Sequence, residues 1–453
     1  MAAGKGTRMK SARPKVLHRI GGASLLKHVL RSAAGLGAAN TIVITGHGAD
    51  EVEAAVGDGT LRFVRQMPQL GTGHAVQQAV PALDDANPVT LILNGDVPLI
   101  RTATAQALVD ACAGSRLALL TIELDDPTGY GRIVRTGDGH GGHVVGIVEH
   151  KDATPAQREI GEVYTGMMAA PTAMLRRWVM ALANDNAQRE YYLTDVVAMA
   201  VAEGVPVVAA HAAGETEVLG VNSPQQLADL ERRFQRAQAD ALMEAGVRLA
   251  DPARLDVRGE LTCGSDVEID VNCVFEGRVT IADGARIGAN CVIRDAGIGA
   301  GAVIHPFTHV EGARVGQGAL VGPFARLRPG ADLGADVHIG NFVEVKNSTL
   351  AAGAKANHLA YLGDATVGER VNYGAGSITA NYDGANKHRT VIGADVHVGS
   401  NCVLVAPITI GEGATIGGGS TIAKDAPAGQ LTVARAKQVS IPGWKRPARQ
   451  NKG

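Results

Sequence analysis

The clearest regularity along the chain is a spacing of apolar residues in its second half. Ile269, Phe275, Ile281, Ile287 and Ile293 are six apart, as are Ile298, Ile304 and Val310, then Val315, Val321, Leu327, Leu333, Ile339 and Val345, and finally Ile392, Val398, Leu404, Ile410, Ile416 and Ile422. On an α-helix a six-residue step turns about 600°, which scatters such residues over several faces. On extended chain six is an even step, so all of them point one way. Small residues follow the aliphatics where tight corners are needed, as in Ile287-Gly288, Val315-Gly316 and Ile410-Gly411. The spacing predicts a parallel β-helix of short stacked coils in residues 246–453. The step falters between Val345 and Ile392, and the polar stretch 377–389 is too long for one corner. Insertions in a solenoid lie on one face and commonly carry its binding site.

The first half is patterned differently. Short apolar runs at Thr41–Thr45, Val89–Leu93, Leu117–Ile122 and Val205–Ala210 alternate with helical stretches at Leu25–Ala34, Thr102–Ala113 and Tyr192–Ala202. That is the order of an α/β sheet domain, expected to span 1–224. Ligands of such sheets sit at the carboxyl ends of the strands, which singles out Asn94, Gly95 and Asp96. Ser223 as N-cap, Pro224 at the first helical position and Gln226 as capping-box partner predict a linker helix over 225–245. Its apolar stripe is expected to be Leu227, Leu230, Phe234, Ala237 and Ala241.

Composition agrees with a repeat architecture. The 453 residues include 58 Gly but only 6 Phe, 7 Tyr and 2 Trp, so small aliphatic side chains must do the packing. A net charge of −2 creates no global field for nucleic acid or membrane, and any anion must be held by local basic residues. No run approaches the roughly 18 apolar residues of a membrane span. Five Cys without CxxC spacing read as reduced core residues of a cytoplasmic protein.

One local concentration of charge stands out. Lys5, Arg8, Lys10, Arg13, Lys15, Arg19, Lys27 and Arg31 all precede the first acidic residue, Asp50. Gly4, Gly6 and Pro14 break the amphipathic helix that a transit peptide needs. Glycines there let backbone N–H groups approach a triphosphate, while Arg8 and Lys15 supply cations where charge builds on phosphorus and leaving pyrophosphate. The string Ala2-Ala3-Gly4-Lys5-Gly6-Thr7-Arg8-Met9 with Pro14-Lys15 resembles the signature of the sugar nucleotidyltransferases. Gln66, Leu70-Gly71-Thr72-Gly73, Gly95-Asp96, Tyr130-Gly131-Arg132, Glu149-His150-Lys151 and Gly220-Val221-Asn222 follow in that family's order. With the six-residue repeats and the 355–387 segment, the whole chain is similar to the bacterial bifunctional uridyltransferase/acetyltransferases of UDP-N-acetylglucosamine synthesis.

The resemblance implies a Rossmann-like nucleotidyltransferase domain, the linker helix and a left-handed parallel β-helix of hexapeptide repeats. It implies that the first domain joins N-acetylglucosamine-1-phosphate to UTP, releasing pyrophosphate. Ala2, Ala3 and Gly4 would contact uridine, and Gln66, Gly71 and Thr72 the base. Gly95 belongs to the same site. Asp96 and Asn222 would hold Mg²⁺, an oxygen set suited to a hard cation, while Gly131 and Glu149 would bind the acetylated sugar. For the second domain it implies acetyl transfer from acetyl-CoA to glucosamine-1-phosphate, with His358 as base and Glu344 polarising it. Arg328 and Lys346 would hold the sugar phosphate, Tyr361 and Asn372 the sugar hydroxyls. Ala375, Asn381, Tyr382, Ser400, Gly418 and Arg435 would contact acetyl-CoA, with Lys387 in the same loop. It implies a homotrimer, in which the basic tail Trp444, Lys445, Arg446 and Arg449 would lie over a neighbour's CoA phosphates.

The chain departs from the family pattern in four places. Only Met1 precedes Ala2, where the family has an apolar strand, so the first strand of the sheet is expected to be missing, which leaves two readings, a start upstream of Met1 or an impaired uridyltransferase half. Tyr164 stands where a sugar-contacting Asn is usual, and a phenol cannot reproduce a carboxamide's paired donor and acceptor. Asn94 stands where Tyr is common, and Gly418 where Ala is, leaving only its backbone to serve. Two other readings compete: a single-activity nucleotidyltransferase with a structural β-helix, and a non-catalytic trimeric scaffold. His358, Tyr361 and the 381–387 loop weigh against the first, and Lys15, Asp96 and Asn222 against the second.

Overall fold

The computed structural model describes residues 1–137, 142–186 and 188–447. The chain divides into two compact units, Met1–Ala237 and Gln238–Gly453.

In the first unit the strands Val207–His211, Leu117–Glu123, Glu162–Pro171, Gly131–Arg135 and Val144–Val148 lie side by side in that order. The ten-residue strand Glu162–Pro171 is the hub, running antiparallel to Leu117–Glu123, Gly131–Arg135 and Val89–Ile92. The sequence pattern omits this strand for a physical reason. Gly166 has φ 87°, in the left-handed region, and the register against Leu117–Glu123 shifts beside it, so alternation is broken mid-strand. The expected runs at 41–45, 89–93, 117–122 and 205–210 are all strands, within two residues at their ends. The helix predicted from Tyr192 begins at Asp195.

Ile42–Thr45 pairs in parallel with Arg62–Arg65 as a separate two-stranded sheet. It meets the large sheet through Met1 and Ala2: the Ala2 N–H donates to Ile44 O at 2.8 Å, the Met1 amine to Leu93 O at 2.6 Å and the Gly95 N–H to Met1 O at 2.8 Å. Behind that bridge a cleft of about 450 Å³ separates Ile42–Ile44 from Val89–Leu93. Among the described residues no longer strand joins the two sheets.

The helix Pro224–Glu244 follows the capping signals, with one displacement. Ser223 Oγ accepts from the Gln226 N–H, but the Gln226 side chain accepts from the N–H of Asn222 and not from that of Ser223. The stripe also departs from the expectation. Leu227, Leu230 and Phe234 pack in the first unit's core, and Phe234 fills the space beside Gly21, where a Cβ would come within 2.2 Å of its ring. Beyond Phe234 the buried positions are Gln235 and Ala239, whereas Ala237 and Ala241 are exposed. A straight stripe cannot serve two cores, and Ala239 and Leu242 pack with the second.

The second unit is a parallel β-helix with three rows of short strands, each hydrogen-bonded to the coil below. Every six-spaced residue named above is buried in one continuous core. Most coils are 17 or 18 residues long, as shown by Val321 pairing with Ile304 below and Ile339 above, while the coil with the insertion takes 25, from Asn372 to His397. The apparent break after Val345 is largely filled. Leu350, Ala356, Leu362, Val367, Tyr373 and Thr379 continue the interior row, with five-residue steps and smaller or polar side chains that an aliphatic pattern misses. The insertion itself is therefore confined to the segment after Thr379. Leu327 is fully buried in this core. Leu327→Ala should cost about 2–5 kcal/mol of the second unit's stability, read as faster amide exchange along residues 303–346.

Candidate active sites

The N-terminal loop is shaped by two short 3₁₀ turns, Thr7–Met9 and Lys15–Leu17. Met9 anchors the first turn in a core with Ile20, Leu25 and Val221, which leaves Gly4, Lys5 and Arg8 at the surface. Gly6 is left-handed, and a Cβ there would lie 2.7 Å from Lys15 Cβ, so the glycine lets Lys15 fold under the loop. The Lys15 ammonium donates to Asp96 Oδ2 at 2.5 Å and to Asn222 Oδ1 at 3.0 Å. The Val221 N–H donates to Asp96 O at 2.9 Å, and Gln226 fixes the backbone of Asn222. Two oxygens from distant segments thus converge on one cation. Among the described residues no group of three His, Cys, Asp or Glu could hold a metal, so Asp96 and Asn222 would need phosphate oxygens to complete a coordination shell.

Gln66 is buried, donates to Gly71 O at 2.8 Å and lies 3.2 Å from His74 Nδ1. Gly71 has φ 106°, and a Cβ there would strike Tyr191 O at 2.6 Å. Thr72 Oγ1 accepts from the Leu193 N–H at 3.1 Å, so Thr72 is held by its fold neighbours at the start of the helix Thr72–Ala79. Gly131 leaves room for Ile147, whose Cγ2 would be 2.9 Å from a Cβ at that position, with Glu149 Oε2 beside it at 3.7 Å. Burial pushes the Glu149 carboxyl above its ordinary value, against a hydrogen bond from Thr194 Oγ1 at 3.3 Å. The fully buried Arg132 ties the flanking loops through Tyr130 O and His150 Nδ1.

Tyr164 lies in the core, cross-strand from Gly131, with its hydroxyl buried and unpartnered. Asn94 makes a contact that the sequence reading did not foresee: its Nδ2 donates to Gly166 O at 3.1 Å, across the bulge in the central strand.

In the β-helix, functional side chains gather by coil position. His358 is exposed at a corner while Ala356 and Ala360 on either side are buried. One coil below stands Asn341, whose Oδ1 lies 2.9 Å from His358 Nδ1. An amide oxygen only accepts, so Nδ1 carries the proton and Nε2 is left basic. Glu344, expected beside the imidazole, has its hydrogen bond with Arg328. It pairs in register with Tyr361 on the next face, and its carboxylate accepts from Arg328 at 2.9 Å. Asn341 is the partner that sequence reading missed, and a coil length of 17 residues would have pointed to it.

The same corner continues upward. The Gly376 N–H donates to His358 O, the Asn401 N–H to Ala375 O and the Gly419 N–H to Ser400 O, which stacks His358, Ala375, Ser400 and Gly418 in one column. A Cβ on Gly418 would be 3.4 Å from Ser400 O, and Arg435 Nη1 donates to Gly418 O at 2.8 Å. At the opposite edge of the face, Lys346 Nζ lies 3.7 Å from Asp364 Oδ2, and Asp364 also accepts from Asn347 and Asn381. Burial raises the Asp364 carboxyl, but those two amides and Lys346 together bring it below its ordinary value. Lys346 presses on the nearby Lys387 ammonium and lowers it, so two cations crowd one carboxylate.

The insertion is a built turn: Asp383 accepts from the Asn386 and Ala385 N–H groups and pairs with His388, which leaves Tyr382 exposed at its tip. Asn372 is not brought to this face. It belongs to the preceding row, between Lys355 and His397. In the tail Trp444 is exposed, and Arg449 lies outside the described residues.

The fold and these clusters define a transferase of two parts. The profile of the MobA-like NTP transferase domain matches residues 1–158, and that of the bacterial transferase hexapeptide (six repeats) matches 262–295 and 389–424. The chain is 78% identical to the bifunctional protein GlmU of Methylibium petroleiphilum, over 99% of this chain and 98% of that one. It is 68% identical to the protein of the same name from an Acidovorax strain, over 100% and 98% of the two chains. With that from an Azoarcus strain it shares 59% identity over 99% of each. The chain belongs to the family of the bifunctional protein GlmU.

The raised Glu149 carboxyl carries a stability consequence. A folded pKa above the unfolded one means that the contribution is present below the ordinary carboxylate value and is lost as pH rises through the folded value. Glu149→Gln should therefore melt no lower than the parent at pH 8 and show no such advantage near pH 4, measured by calorimetry, while uridyl transfer falls.

Proposed function

We propose that this chain makes UDP-N-acetylglucosamine in two steps, acetylating glucosamine-1-phosphate from acetyl-CoA in the β-helix and then joining the product to UTP in the first domain. The observation that carries the reading is the tethered, exposed imidazole of His358 at the edge of a face bearing Arg328, Lys346 and Lys387. A phosphorylated amino sugar held by those cations presents its amine toward the histidine. As the amine nitrogen attacks the thioester carbonyl, Nε2 takes its proton, and the C–S bond breaks to release the CoA thiolate. Asn341 holds the productive tautomer. The corner column from Ala375 to Gly418 offers backbone groups along which an extended cofactor can lie, with Arg435 at its far end.

In the first domain a phosphate oxygen of N-acetylglucosamine-1-phosphate attacks the α-phosphorus of UTP, and pyrophosphate leaves. Lys15 neutralises the phosphates, and the buried Gln66 reads the base. The Asp96 and Asn222 oxygens that share the Lys15 ammonium fit a hard divalent ion. When bound, Mg²⁺ would supply further charge neutralisation to phosphate oxygens. The functional domains are taken as 1–224 and 246–453, joined by the helix.

Association of copies is part of the same reading. Phe307, Phe324, Phe342 and Leu359 form an exposed column at the His358 corner, all at positive φ, with ring centroids 5.0 and 5.4 Å apart. An apolar ladder of this kind favours burial against another copy, and a homotrimer places three such corners together. Cytoplasmic residence accords with the free cysteines, and among the described residues no helix is long and apolar enough to cross a membrane.

His358→Ala should cut thiol release from acetyl-CoA by about 10²–10⁴-fold while leaving pyrophosphate release intact. Asp96→Ala should do the reverse, and equal loss of both activities in either variant would overturn the division of labour. Phe324→Lys should lower the mass seen by light scattering from trimer toward monomer.

A further inference from the structure

The strand Tyr361–Gly363 of the β-helix is paired differently on its two sides. Toward the coil below it is in register at all three positions, Tyr361 with Glu344, Leu362 with Val345 and Gly363 with Lys346. Toward the coil above, among the described residues, only Tyr361 keeps a register partner, Ile378. The Tyr361 N–H still donates to Ser377 O at 3.1 Å, and the same step would bring the Gly363 N–H to Thr379 O. It meets the Thr379 side chain instead. Thr379 Oγ1 accepts from the Gly363 N–H at 2.8 Å and donates to Gly363 O at 3.0 Å. One hydroxyl thus serves both backbone groups of a single glycine, and the ladder opens just before Asn381 and Tyr382 lead into the insertion.

Over that glycine lies the phenol of Tyr361. A Cβ on Gly363 would collide with the Tyr361 hydroxyl and lie 2.5 Å from its Cζ, so the ring runs along the strand across a residue with no side chain. Thr379 is 1% exposed and Gly363 is buried, so a Gly363 group that lost the hydroxyl would stay buried without a partner. Next in the chain is Asp364, which takes the amides of Asn347 and Asn381 and faces Lys346. The placement of Gly363 therefore sets where the phenol and the neighbouring carboxylate stand beside Lys346.

We infer that Thr379 is a positioning residue of acetyl transfer: its buried hydroxyl fixes Gly363, and Gly363 holds the Tyr361 phenol where it meets the hydroxyls of the amino-sugar phosphate. The inference rests on the proposed function of this face, with Tyr361 touching the sugar. Thr379 itself lies on the inner side of its coil and acts only through Gly363. Valine keeps its outline and removes both bonds, whereas serine keeps them.

The test uses the full chain and follows thiol release from acetyl-CoA while glucosamine-1-phosphate is varied. Thr379→Val should raise KM for glucosamine-1-phosphate about tenfold, with a smaller change in kcat and with uridyl transfer unaltered. Thr379→Ser should recover the parent KM. Gly363→Ala, which leaves Thr379 in place and pushes the phenol aside, should raise the same KM. Thr379→Val combined with Tyr361→Phe should be no worse than Tyr361→Phe alone, because both act through one contact. A parent-like KM in Thr379→Val, a rise that serine does not reverse, or losses that add in the double variant would overturn the positioning role. Should Thr379→Val fail to fold, Gly363→Ala decides: a raised KM there supports the inference and a parent-like one overturns it. Tyr361→Phe with the parent KM would overturn the sugar contact itself, and the inference with it. A raised KM in Tyr361→Phe beside a parent-like Thr379→Val would overturn the inference alone.

Discussion

Parallel main-chain pairing is the constraint on which both halves of this protein rest. In the β-helix the N–H groups of every coil pair with carbonyls of the adjacent coils, so most coils hold 17 or 18 residues, the 25-residue coil loops its extra residues outward, and each corner stands above the last. Columns of equivalent positions follow without further design. One such column carries His358, Ala375, Ser400 and Gly418, and beside it runs the apolar ladder from Phe307 to Leu359. Side chains are thus laid out along the axis by register, and His358 is presented outward between the buried Ala356 and Ala360.

The same constraint governs the first unit. The large mixed sheet and the pair Ile42–Thr45 with Arg62–Arg65 are held in relation by the hydrogen bonds of Met1 and Ala2. Those two residues lie at the head of the loop that continues through Gly4 and Gly6 to Lys15. The geometry of the loop from Gly4 to Lys15 therefore depends on a short piece of backbone pairing, and the Lys15, Asp96 and Asn222 cluster forms at its far end.

The two sites handle charge in different ways. The first answers a cation with oxygens from separate segments, and the Asn222 backbone is clamped by the helix cap through Gln226. The second sets Lys346 and Lys387 around Asp364, which is itself held by Asn347 and Asn381. Lys15 and Asp96 balance one another, whereas Lys346 and Lys387 outnumber Asp364 and leave a local excess of positive charge in a chain whose net charge is only −2.

By itself the sequence determined the β-helix, because a six-residue apolar step is compatible with extended coils and with little else. It also determined the α/β order of the first half and the start of the linker helix, since capping residues act within a few positions of one another. The nucleotide loop and His358 were legible as motifs. Tertiary structure alone decided what those residues touch. Glu344 pairs with Arg328 and not with the imidazole, Asn341 takes its place from a coil below, and Asn372 turns to another face. The strand Glu162–Pro171, broken by a left-handed glycine, and the switch of buried face along the linker helix also required coordinates. Periodicity reports which side of the chain faces inward; it carries no information about which coil, strand edge or core lies opposite, because those partners are chosen by packing between segments far apart in sequence.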